Sequence, residues 1–473
     1  MNDRFAPPLP TSLSTPLSRR SFLRGSAGLL GSLALPLQLG ERPRPHFAPR
    51  AKHVVFVFLL GAPSQVDLFD PKPKLQELDG QPMPPSLVAG QAVDQLKGRN
   101  LVAAGSRFRF HRRGQCGMEL SELLPHLGQH ADRLALVRSM TSTIINHPPA
   151  QSMLMTGSGE VGRPSCGSWA SYGLGSGNRD LPAFATMLSG APPGTPPPPV
   201  QLWGNGFLPG EHHGVVLHGG AEAVRFLDNQ PGTSRRGREA QLEALQALDR
   251  LRQQSHGDPA TDDRIAAYQL AFRMQDVVPE AVRLQAEPAA TLALYGAKAG
   301  EPSFAANCVM ARRLVERGVR FVQLVDDGWD HHGQLVRNLR QKAGEVDQPI
   351  GALLSDLQRC GLLDETLVVI AGEFGRTPMN QGGQSGDRYG RDHHGKCFSI
   401  VLAGAGVRGG TVVGATDELG YQVVADPFTV HDLQATMLHL LGFDHERLVF
   451  RHRGRDYRLT DVHGRVMRPV VTG

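Results

Sequence analysis

Thr366-Leu367-Val368-Val369-Ile370-Ala371-Gly372-Glu373-Phe374-Gly375-Arg376-Thr377-Pro378 decides the fold. Residues 367–371 are apolar and β-prone throughout, as in a strand covered on both faces. Such a strand needs no acid at its end in order to fold, yet Glu373 stands there between two glycines. The pattern recurs along the chain. Gly390-Arg391-Asp392-His393-His394-Gly395-Lys396-Cys397 runs into a second apolar strand, 398–402. Trp329-Asp330-His331-His332 follows the strand 319–325, and Asp67 closes a loop after the strand 53–60. Acids and imidazoles gathered at the ends of buried strands are what a divalent-metal site on an α/β sheet requires.

Working outward, strands alternate with helical patterns. Strand 53–60 is followed by an expected helix at 119–130 and a strand at 134–137. A helix at 149–156 ends at Gly157. Residues 303–318 form an amphipathic helix feeding the strand 319–325. A long helix at 333–360 holds Pro349, where a break is expected. Strands at 366–371 and 397–403 and a helix at 430–441 complete the set. This alternation predicts a mostly parallel sheet covered by helices on both faces. The run 192–199 (PPGTPPPP) reads as loop, and residues 235–285 as a solvated helical segment. Residues 50–473 are therefore expected to form a single α/β domain, with a helical insertion at about 190–300.

Residues 1–45 read differently. Ser18-Arg19-Arg20-Ser21-Phe22-Leu23-Arg24 precedes a short Gly/Ala/Leu stretch, 28–39, which is the twin-arginine export pattern. That stretch contains Pro36 and falls well short of the roughly 20 residues that span a bilayer. Export to the periplasm or beyond is expected. Arg4, Arg19, Arg20, Arg24 and Asp3 in this leader account for three of the five net positive charges, leaving +2. So small a balance gives no support for nucleic-acid binding. The five cysteines are dispersed without a C-x-x-C pair, against a zinc knuckle or thioredoxin motif. Cys397 is expected to be core, and residues 454–460 (GRDYRLT) are expected to be a strand closing the fold rather than part of the chemistry.

Several segments together resemble one family. They are residues 61–73 (GAPSQVDLFDPKP), Asn146-His147-Pro148, Arg163-Pro164-Ser165, Tyr172-Gly173-Leu174-Gly175, Trp329-Asp330-His331-His332-Gly333, residues 372–378, Gly390-Arg391-Asp392-His393 and Gly454-Arg455-Asp456. From about residue 50 the chain is similar to the domain of unknown function 1501 family of exported bacterial proteins. That family is usually placed beside the sulfatases in the alkaline-phosphatase-like superfamily. The resemblance implies a three-layer sandwich of that type and an ester-hydrolase ancestry. Met153-Leu154-Met155-Thr156-Gly157 looks like the Leu-Leu-Thr-Gly that ends the sulfatase nucleophile helix. Counting back puts His147 where sulfatases carry the formylglycine Cys and Gln151 where they carry its Arg. Glu373-Phe374-Gly375 stands at the later Asp-His-Gly, with the acid lengthened and the His lost. The order of motifs agrees with the superfamily, and the nucleophile chemistry does not.

The candidate site residues follow. Asp330 and His332, at i and i+2 on an extended segment, share a face and suit one metal. Glu373, Asp392, His393 and Asp67 are further metal candidates, and Glu373 also suits acid–base work. His147 at a helix start is a ligand or a nucleophile. Arg163, Arg376 and Arg391 suit two-pronged capture of an anionic group. Carboxylates with neutral imidazoles favour Zn2+, Mn2+ or Fe2+ over Ca2+ or Mg2+. Two functions are consistent with this set. One is a secreted metal-dependent hydrolase of sulfate or phosphate esters. The other is a non-catalytic relative binding an anionic polysaccharide or a partner at the cell surface.

Overall fold

The strand His53–Leu59 (β1) is buried at every residue because it has a parallel neighbour on each side. In the computed structural model, which describes residues 43–88, 100–191, 194–218, 232–256, 259–382 and 388–473, it lies inside a nine-stranded sheet. The other strands are Leu134–Thr141 (β2), Phe184–Ser189 (β3), Val215–Leu217 (β4), Phe321–Asp326 (β5) and Thr366–Ala371 (β6). A separate hairpin of Gly375–Asn380 (β7) and Arg391–His394 (β8) comes next. Phe398–Gly404 (β9), Thr411–Val413 (β10) and Phe428–Thr429 (β11) complete the sheet. Its spatial order is β10-β2-β9-β6-β1-β5-β3-β4, with β11 beside the far end of β2. Strand β9 runs antiparallel to both neighbours, and every other pairing in this sheet is parallel. The α/β architecture expected from the alternation is the one observed.

Side-chain alternation on β1 separates two cores. Val55, Val57 and Leu59 pack on one face with Val309 and Leu314 of the helix Phe304–Glu316 and with Leu339 and Leu353 of the helix Leu335–Arg359. Val54, Phe56 and Phe58 pack on the other with Leu154 of the helix His147–Thr156, Trp169 of the helix Cys166–Leu174, and Leu433 of the helix Val430–Leu440. Each such side chain contributes about 1.5–3 kcal/mol when fully buried. Helix starts follow the expected chemistry. Ser303 accepts from Ala306 N, and Thr429 and Asp432 form a reciprocal capping box.

Four expectations are revised. Residues 119–130 are not a helix: Met118–Ser121 is a strand and Leu127–Arg133 a 3-10 turn, because Pro125 interrupts the pattern. The helix Leu335–Arg359 continues through Pro349, with Val346, Ile350 and Leu353 buried on either side of it. The terminal segment does not close the main sheet. Phe450–His452 and Arg455–Tyr457 instead pair with each other as an isolated hairpin. The 190–300 segment supplies the helices Arg235–His256 and Pro259–Ala281, but also the edge strand β4. Residues 192–193 of its Pro-rich run and the leader 1–42 lie outside the described residues. Residues 43–473 form one compact unit. No helix among the described residues is long and apolar enough to cross a membrane.

Candidate metal centre

The turn after β1 brings the site together. Gly61 has φ +109°, and a Cβ there would meet Asp330 N at 2.6 Å and Trp329 N at 2.9 Å. Only glycine lets this backbone approach so closely. Trp329 N donates to Leu60 O at 3.1 Å, which ties the loop after β5 to the end of β1. The indole donates to Asp326 at the strand terminus (2.9 Å). Asp330 and His332 are thereby presented beside the β7–β8 hairpin, which carries His393, and beside His147 at the start of its helix. Pro148 in the first turn suits that start, and Gly157 closes the helix at φ +71°.

One ligand atom from each of His147, Asp330, His332 and His393 lies within 4.8 Å of all the others. Asp330 Oδ1 is 2.9 Å from His332 Nε2, 3.3 Å from His147 Nε2 and 3.4 Å from His393 Nε2. His332 Nε2 and His393 Nε2 are 3.0 Å apart. The opposite nitrogen of each ring is occupied. His147 Nδ1 meets Glu373 Oε1 (2.7 Å), His393 Nδ1 meets Ile145 O (2.7 Å), and His332 Nδ1 meets Gln381 Oε1. A carboxylate and a carbonyl only accept, so each Nδ1 carries a proton, and the Nε2 atoms that face Asp330 are the ones a cation would meet once any proton there is displaced. An acceptor behind a ligating imidazole fixes the tautomer in this way at metal sites.

The arrangement fits a cation. Two imidazole lone pairs facing each other at 3.0 Å repel unless a proton or metal sits between them. His147 Nε2 is buried and has no hydrogen-bond partner of acceptable geometry. Burial alone would lower the His147 pKa, but Asp330 and Glu373 outweigh it and raise the value to about 9. Burial likewise works against ionised Asp330, yet the three imidazoles and Arg376 hold its carboxyl far below the usual range. Asp330 nevertheless keeps 42% of its side chain exposed, so the group opens to solvent on that side. Phe374 packs 4.9 Å from both the His147 and His393 rings.

The remaining candidates take other places. Glu373 is fully buried behind His147, and it accepts from Gly61 N (3.1 Å) and Gln151 Nε2 (3.2 Å). Asp392 lies outside the four-residue group; its Oδ1 accepts from His393 N. Asp67 is also outside it, bound to Arg391 Nε (2.7 Å) and Ser64 Oγ (2.6 Å). Arg376 and Arg391 are both buried, with donors turned to protein acceptors. Arg376 reaches Ala62 O, Gly61 O, Arg391 O and Asp330. Arg391 reaches Asp67, Ala104 O, Thr377 O and Tyr389 Oη. Arg163 pairs with Asp461 and lies over the Tyr457 ring. His331 turns away to Gly328 O, and burial pushes its pKa down to about 4. Cys397 is buried core, as expected. Sequence reasoning missed Gln381 and the Ile145 carbonyl. Neither lies in a motif, and only the fold brings them behind the imidazoles.

Solved structures similar to this chain include a phosphonate monoester hydrolase from Silicibacter pomeroyi (13% identity, 88% of this chain and 76% of that one, TM-score 0.36). Another is the PsFucS1 sulfatase from Pseudoalteromonas sp. (13%, 90% and 72%, TM-score 0.32). A third is the alkaline phosphatase from the Antarctic bacterium TAB5 (9%, 84% and 98%, TM-score 0.33). No curated protein sequence matches the chain. Residues 51–471 match the family model described as a protein of unknown function, DUF1501, and the chain belongs to that family.

Proposed function

We propose that this protein is a metal-dependent hydrolase of sulfate or phosphate esters whose His147, Asp330, His332 and His393 hold one divalent cation. The observation that carries the reading is the convergence of four ligand atoms within 4.8 Å, with the Nε2 atoms of His332 and His393 3.0 Å apart and their opposite nitrogens occupied. Three imidazoles and one carboxylate favour Zn2+ or Mn2+ over Ca2+ or Mg2+. A bound cation would supply Lewis acidity toward an ester oxygen and would acidify water. The protein's own groups set the stage. Glu373, Gln381 and Ile145 orient the rings, and Arg376 holds Asp330. The exposed edge of Asp330 is the side an ester would approach. His147 serves here as a ligand, since Glu373 holds one ring nitrogen and the other faces the group. Ser64 donates into buried Asp67 and offers no nucleophile.

A second reading, a non-catalytic surface binder, rests on His147 standing where the sulfatases carry their formylglycine Cys. Metal analysis of purified protein, followed by a panel of phosphate and sulfate esters, separates the two. Stoichiometric Zn2+ or Mn2+ with turnover supports the hydrolase. Absence of any divalent metal, or metal without turnover of any ester, overturns it. We also propose twin-arginine export. Arg19→Lys with Arg20→Lys should leave precursor in the cytoplasm, and unchanged secretion would remove the assignment.

A further inference from the structure

The helix His147–Thr156 links three features along one rise of about 15 Å. His147, a proposed metal ligand, stands at its start. Met153, midway, lines a cavity of about 630 Å3 shared with Ser142, Lys396, Thr429, His431 and His463. That size lies within the range of small-molecule sites. The cavity and the metal group are linked along the chain: Lys396 is three residues from His393, and Ser142 N donates to Gly395 O. Gly157, at the helix end, lies against Leu459, where an added Cβ would meet the Leu459 carbonyl at 2.1 Å. Leu459 directly follows the isolated terminal hairpin.

That hairpin is strongly basic. Residues 450–458 (FRHRGRDYR) carry four arginines and one aspartate, a balance of +3, against +2 for all of residues 43–473. One face, with Phe450, His452 and Tyr457, rests on Phe207 (ring centroids 6.0, 5.2 and 4.6 Å). The other presents Arg451, 69% exposed, in a surface pair with Asp456 (3.1 Å) that a sulfate group would compete with. The tip is Arg453-Gly454, with φ +49° and +83°. Such a two-residue turn favours Asn-Gly, so an exposed arginine here is a locally costly choice that places charge at the tip. Arg163 joins the cluster over Tyr457, and Arg455 covers that ring too; both share the single carboxylate of Asp461, so the local balance stays positive.

We propose that the cavity and this arginine hairpin together form the binding track for a linear sulfated polysaccharide, whose sulfate groups meet the guanidinium groups while the chain leads to the metal centre. The substrate class rests on the hydrolase reading above, and the track itself rests on the geometry. Guanidinium groups pair with tetrahedral oxyanions through two parallel hydrogen bonds, and repeated weak pairs along one polymer add through effective concentration. The tip offers Arg and Gly rather than apolar side chains to insert into a bilayer.

The test is binding of full-length protein to dextran sulfate, uncharged dextran, single-stranded DNA and phosphatidylserine vesicles at physiological salt. Wild type should prefer dextran sulfate. The triple variant Arg451→Gln/Arg453→Asn/Arg458→Gln should weaken that binding at least tenfold while keeping wild-type metal content, which also reports folding. His393→Ala should lose metal and keep polymer binding, so failure of the hydrolase reading is distinguishable from failure of this one. Equal binding of dextran and dextran sulfate, unchanged binding by the triple variant, or tighter binding to DNA or vesicles overturns the proposal.

Discussion

Two aspartates, each against a buried arginine, behave differently in this molecule. Asp67 and Arg391 are both inaccessible to solvent. The carboxylate accepts from Arg391 and Ser64, and the guanidinium turns its other donors to Ala104 O, Thr377 O and Tyr389 Oη. This cluster is closed, with donors matched to acceptors. Asp330 also holds an arginine, Arg376, yet three imidazole Nε2 atoms converge on the same oxygen. That cluster gathers four potential ligand atoms within 4.8 Å and keeps an exposed edge. A polar group that closes on itself supports the fold, whereas one left short of a cation is a candidate site. The two lie within a few residues of each other in sequence, since Arg391 and His393 belong to one strand.

The largest expected effect comes from breaking the closed cluster. Asp67→Ala leaves the Arg391 charge buried and unpaired, which should cost about 3–5 kcal/mol, a large share of a typical domain's stability. Urea denaturation measures it, and Asp67→Leu with Arg391→Met should recover much of the loss. Metal content of the folded fraction should not change. A wild-type midpoint for Asp67→Ala would show that the pair is not a support.

His393→Ala breaks the open cluster, with the opposite signature. The metal-free fold should lose less stability than in Asp67→Ala, because packing and one hydrogen bond are removed but no buried charge is left unpaired. Stabilisation by added Zn2+ should vanish; for wild type it amounts to about 2.7 kcal/mol when the cation is at 100 times its Kd. Denaturation with and without Zn2+ decides this. An equal zinc-induced shift in both proteins would exclude His393 as a ligand. Glu373→Gln is milder. It keeps an oxygen near His147 Nδ1 but removes the charge behind the ring, and losses of this kind cost about 10–100-fold in metal affinity. Competition against a chelator would register the change, and unchanged affinity would reduce Glu373 to packing.

The sheet was legible because its strands are continuous apolar runs, and β1, β5, β6 and β9 fall within a few residues of the expected places. The lost helix at 119–130 shows the limit, since apolar spacing outweighed Pro125 in the reading. At the site, His147, Asp330, His332 and His393 were all named from their positions near element ends, and the structure brings these four together. Asp67, Asp392, Arg376 and Arg391 looked equivalent by the same signal. What separates them is placement: Asp67 lies on the short helix Gln65–Leu68, and a register shift between Arg391 and His393 breaks the simple alternation of the hairpin that holds the other three. Composition does not reveal which way each one points. The basic hairpin reads as a closing strand from its β-prone residues, and its local +3 is hidden when charge is balanced over the whole chain at +5.

The smallest and most discriminating effect is in pH. Without a cation, His147 has its pKa raised from about 6.5 to about 9, as Asp330 and Glu373 outweigh burial. Its contribution to metal-free stability is therefore complete below pH 6.5 and is lost as pH rises through about 9. A metal must displace that proton, so affinity should rise over the same window, by about tenfold per pH unit for one proton released. Metal-free stability and metal affinity should thus move in opposite directions between pH 6.5 and 9. The closed Asp67–Arg391 cluster contains no imidazole and should contribute no such trend. Chelator competition at several pH values, beside denaturation of metal-free protein, tests both slopes. Parallel slopes, or the same two slopes retained in His147→Gln, would show that the titrating group lies elsewhere.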